Sequence, residues 1–157
     1  MIILSIDKVK AYFKQFNMED KVMEFPTSSA TVSEAAQTLN CEEARIAKTM
    51  SFKLDDKAIL VVMAGDVRID NRKFKEKFHK KATMLKGDEV ETYTGFPIGG
   101  VCPFAPKDGV KVYLDISLKR FDTVYPACGS RNSAIKLTIP ELEKYSKAIE
   151  WIDISKN

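Results

Sequence analysis

Histidine is nearly absent from this chain: His79 stands alone among 157 residues. The three cysteines, Cys41, Cys102 and Cys128, are odd in number and widely spaced, with no Cys-x-x-Cys pair. Structural zinc takes four clustered ligands and a disulfide framework takes an even set, so reduced thiols, no metal and no cofactor are expected. Long hydrophobic runs are missing too. The longest, Ala58 to Ala64, is far too short to cross a bilayer, and Asp7 and Lys8 interrupt the apolar start before a signal-peptide core could form. A cytoplasmic protein without a membrane partner is expected by elimination. Internal repeats, linkers and low-complexity segments are absent, and hydrophobic residues at 45% with charged residues at 30% lie in the ordinary globular range. One domain over residues 1–157 is the expectation.

Glycine and proline are scarce, at seven and six, yet three glycines and two prolines fall within the twelve residues Tyr93 to Phe104. Glycine lets backbone approach a ligand, and proline fixes chain direction at Pro97 and Pro103. The peptide groups of Gly99, Gly100 and Val101 are therefore expected to stand in one fixed geometry, a way of binding a substrate with main chain.

Around that tract the periodicities alternate between helix and strand. Ile6, Val9, Tyr12, Phe13 and Phe16 predict an amphipathic helix over 6–16, and residues 21–25 predict a short strand. Thr31 and Glu34 have capping-box spacing, opening a helix to about Leu39. After a helical turn from Glu42, residues 46–53 and 58–64 predict a hairpin around Asp55-Asp56, its second strand apolar on both faces and therefore central. Helices follow at about 70–79 and 88–94, the latter ended by Gly95, with a short strand near 82–85 between them. Strands are predicted at 110–114, 123–125, 135–137 and 150–154, with a helical turn near 117–120. A second capping box, Thr138 and Glu141, opens a last helix.

Alternation along 46–52 places Lys48 on the same face as Ile46, Met50 and Phe52. A lysine there either snorkels past the sheet edge or enters a cavity that needs a cation. The segment Ala47-Lys48-Thr49 and the Gly-x-x-x-Pro loop Gly99–Pro103, together with the small-residue loop Tyr125-Pro-Ala-Cys-Gly-Ser130, resemble the YbaK/prolyl-tRNA-synthetase-associated editing domains. The resemblance covers about residues 21–151. It implies an α+β fold with a mixed, strongly curved β-sheet, a partial barrel, and helices packed outside.

It also implies an activity: hydrolysis of the ester joining an incorrect amino acid to tRNA. An aminoacyl ester is already activated, so a positioned water and a stabilised oxyanion suffice. On this resemblance Lys48 takes the acceptor-end phosphate or the ester oxygens, and Gly99, Gly100 and Val101 position carbonyl and water. Cys102, Pro103, Tyr125, Cys128, Gly129 and Ser130 belong to the substrate pocket. Cys102, between valine and proline, reads as an apolar filler, and His79 as solvated surface. The expected partner is the aminoacylated acceptor end of tRNA, met freely or beside an aminoacyl-tRNA synthetase in trans; no oligomeric state follows.

From Arg72 to Lys81 six basic residues face one acidic one, net +5, whereas the chain is +3 and the remainder −2. Arg72, Lys73, Lys77 and Lys80 are the candidates for gripping phosphates, although a charge run is often only a solvated face. Tyr125 replaces the histidine that alanine-specific relatives carry before the proline, while the small residues of the loop resemble cysteinyl-tRNA relatives. Two other readings stay open: a non-catalytic RNA-binding module, and a cysteine-dependent hydrolase of small thioesters or amides.

Overall fold

The computed structural model describes residues 5–157. Its helices are α1 (Ser5–Lys14), α2 (Val32–Leu39), α3 (Asn71–Phe78), α4 (Asp88–Thr94) and α5 (Ile139–Ser146). The strands are β1 (Met23–Glu24), β2 (Ile46–Leu54), β3 (Lys57–Ala64), β4 (Arg68–Ile69), β5 (Lys111–Asp115), β6 (Thr123–Pro126), β7 (Ser133–Ala134), β8 (Leu137–Thr138), β9 (Glu150–Ile152) and β10 (Ser155–Lys156).

Six of these strands form one strongly curled mixed sheet, a half-barrel, in the order β8-β6-β2-β3-β5-β9. The β2–β3 hairpin is antiparallel and turns at Asp55, which takes a left-handed φ of 56°. The β3–β5, β5–β9 and β2–β6 pairings are parallel. As its two-faced hydrophobicity requires, β3 is central, with Ala58 to Ala64 all buried. The α+β partial barrel expected from the resemblance is the architecture found.

Local signals place the helices. Both capping boxes form, Thr31 with Glu34 and Thr138 with Glu141, each satisfying orphan donors of a first turn. The Asp70 carboxylate accepts from the Arg72 and Lys73 N–H groups and starts α3, whose Phe74 packs its ring 4.8 Å from that of Phe52. On the other side α1 buries Val9 and Phe13, and Phe13 meets Phe104 edge-on at 4.8 Å.

Three expectations change. The strand over 21–25 is a 3-10 turn at Glu19–Lys21 followed by the two residues of β1. The strand over 135–137 is divided, because Ser133 and Ala134 pair with β1 whereas Leu137 and Thr138 pair with β6. Residues 82–85 hold only an isolated bridge between Met84 and Phe52. No helix among the described residues is long and apolar enough to cross a membrane.

Candidate functional site

The outer edge of β2 is occupied by two different segments. β6 pairs with it at Ile46 and Ala47, and residues 83–85 bond to it from Ser51 onward, through Lys53 N–H to Thr83 O and Leu85 N–H to Ser51 O. Between them Lys48, Thr49 and Met50 have no described partner on this edge. The gap opens into a cavity of about 310 Å³ lined by these three residues and by Gly99, Val101 and Tyr125. Ser29 to Val32 at the entrance to α2 close another side, and Ala127, Ser133 and Ala134 the last.

The Gly/Pro loop meets the cavity through alternate residues. Gly99 and Val101 line it, and neither N–H makes a described hydrogen bond. The N–H of Gly100 is spent on a turn to Pro97 O at 3.0 Å. A methyl at Gly100 would lie 2.9–3.0 Å from the backbone of Gly129 and Ser130, so this glycine is needed where two loops cross. Gly99 has φ +85°, and a methyl there would fall 3.1 Å from both Ala30 Cβ and Arg131 Nε.

Lys48 is half-buried, and its ammonium donates to Val67 O. Burial lowers its pKa from the ordinary lysine value, with the Asp66 carboxylate opposing. Beside it Thr49 carries a buried hydroxyl oxygen with no hydrogen-bond partner, alone in this among the side chains described. Such an orphan costs about 1–3 kcal/mol.

Several expected pocket residues lie behind the wall. Cys102, Pro103 and Cys128 are buried and do not line the cavity. Cys102 donates weakly to Phe104 O at 3.7 Å, and burial pushes its thiol up to about 12; burial holds Cys128 well above the ordinary thiol range. Gly129, at φ +94°, faces Ser5 of α1. Ser130 bonds to Ser133 Oγ at 2.8 Å, supporting a lining residue without being one. Tyr125 does reach the cavity. His79 is the exposed, left-handed cap of α3.

Four of the six basic residues of the cluster are ion-paired, Lys75 and Lys81 being outside the pairs among the described residues. Arg72 pairs with Glu76 at 3.3 Å, Lys73 with Asp153 at 3.0 Å, Lys80 with Asp55 at 2.7 Å, and Lys77 with Glu150. Among the described residues no three His, Cys, Asp or Glu side chains gather as metal ligands. Sequence reasoning passed over the 29–32 wall and Arg131. Their one signal was the Thr31 capping box, which reports a helix start and not a cavity.

The aminoacyl-tRNA editing domain profile matches residues 27–145. The chain is 52% identical over 155 residues to the uncharacterized protein YwhH of Bacillus subtilis, covering 98% of this chain and 99% of that one. It is 28% identical over 129 residues to EbsC of Enterococcus faecalis, named as a proposed Cys-tRNA(Pro)/Cys-tRNA(Cys) deacylase, covering 79% and 78%. A crystal structure described as a candidate trans-editing enzyme for prolyl-tRNA synthetase superposes with a TM-score of 0.87 at 28% identity, over all of both chains.

Proposed function

Because the chain belongs to the aminoacyl-tRNA editing domain family, we propose that it hydrolyses the ester of tRNA carrying a small, incorrect aminoacyl group, acting in trans on the acceptor end. The observation that carries this reading is that the unpaired stretch Lys48–Met50 and two residues of the Gly/Pro loop whose N–H groups have no described partner, Gly99 and Val101, line one cavity. A volume of about 310 Å³ sits at the small end of ligand pockets and suits a short side chain plus the ester.

In the reaction a water oxygen bonds to the ester carbonyl carbon, and the carbonyl oxygen becomes an oxyanion. Preorganised N–H donors stabilise such charge without reorganising, which is the role given to Gly99 and Val101. Collapse breaks the bond to the ribose oxygen, which leaves with the proton that the water gives up. Lys48 supplies positive charge to the ester or the adjoining phosphate. Pro103 fixes the loop. Tyr125 shapes the aminoacyl end.

A thiol mechanism is disfavoured by the burial and raised pKa of Cys102 and Cys128. The test is deacylation of a panel of mischarged tRNAs by the purified protein. Hydrolysis of one small aminoacyl class, with no covalent acyl-protein, is expected; tRNA binding with every ester left intact would return the chain to the binding-module reading.

A further inference from the structure

A groove of about 820 Å³ runs between α1, residues 105–112 and the end of α5. Lys8, Lys107, Lys111 and Lys147 line it against a single carboxylate, Asp108. These five give +3, the formal charge of the whole chain, so everything outside the groove sums to zero. We propose that this groove is the phosphate-backbone docking surface for the RNA partner.

The two basic surfaces differ in how their cations are engaged. Lys73, Lys77 and Lys80 each hold a carboxylate and would have to exchange it for a phosphate. The four groove lysines are exposed and form no ion pair among the described residues. Three of the four side chains are positioned all the same: Lys147 lies over the Tyr12 ring at 5.7 Å, Lys8 over Phe96 at 5.6 Å, and Lys107 donates to Thr92 O at 2.9 Å. Positioned lysines with free donors gain the full benefit of displacing condensed counterions from RNA.

The groove also lies within reach of the cavity. Gly95 touches it, since a methyl there would sit 3.6 Å from Lys8 Nζ and 3.7 Å from Lys107 Cβ. Gly99 lines the cavity, and the four intervening steps of chain span at most about 14 Å. A duplex resting on the lysines can therefore present its single-stranded 3′ end to the Gly/Pro loop. RNA, among polyanions, is chosen through the deacylase reading; the charge and the reach are independent of it.

The full chain is titrated with an uncharged RNA hairpin bearing a single-stranded 3′ end, by fluorescence anisotropy over a range of salt. The triple variant Lys8→Gln, Lys111→Gln, Lys147→Gln should bind at least about tenfold more weakly and lower the salt slope by roughly three. The single reversal Lys111→Glu, on an exposed side chain, should weaken binding alone. The comparison set Lys73→Gln, Lys77→Gln, Lys80→Gln should stay within about twofold of the parent. Parental affinity and slope in the groove triple, or no RNA binding by the parent, would overturn the assignment. If the parent binds RNA through these lysines yet leaves mischarged esters intact, the deacylase reading falls and the groove stands.

Discussion

Lys48 combines a half-buried ammonium with a lowered pKa, and both follow from its place in the gap along β2. If its charge serves the substrate, Lys48→Ala should cut deacylation by about 10²-fold with the circular dichroism spectrum preserved. Near-parental turnover in the folded variant would dismiss the role. The pH sign follows from burial: a lowered pKa means the charge is lost below the ordinary 10.5 as pH rises. Binding of a non-hydrolysable 3′-amide analogue should therefore weaken on an alkaline limb that begins early, and Lys48→Arg should remove the limb. The thiols behave oppositely, since raised values keep Cys102 and Cys128 protonated at neutral pH. Iodoacetamide should modify half-buried Cys41 first, read by mass spectrometry, and Cys102→Ser should retain hydrolysis apart from packing losses.

At the scale of elements, what could be read from sequence was what is decided within a few residues. Thr31, Asp70 and Thr138 announce helix starts because their partners lie two or three positions away. The divided strand at 133–138 was not legible, since Met23 and Val124 choose its partners from far along the chain. The same reason hid the ion pairs of Lys73, Lys77 and Lys80, whose carboxylates come from residues 153, 150 and 55. Lys48 and the Gly/Pro loop were legible through their resemblance to a family. That Gly100 is needed against a second loop was not. Gly100→Ala should push 99–101 away from 129–130, and a displacement near 1 Å costs about 10²-fold in rate. Single-turnover deacylation should collapse while RNA affinity, set elsewhere, holds; parental rates would separate the loop from the chemistry.

Across the whole molecule, distant segments are tied at Asp115, a fully buried carboxylate at the end of β5. It accepts from Ser117 N–H and Ile154 N–H at 2.9 Å, and from Ser155 Oγ at 2.7 Å. Asp115→Ala would orphan all three donors, a loss of about 3 kcal/mol or more. For a chain of this size the melting temperature should drop by roughly 6–12 °C, and an unchanged melting curve would show that the neighbours find other partners. The same knot sets an order of events during synthesis. β3 pairs with β5, but β5 waits for β9 on its other side and for residues 154 and 155 at its end. Until the ribosome has released residue 155, a nascent chain holds a naked carboxylate beside an unsealed apolar strand. Chaperone dependence should therefore be greatest just before those residues emerge.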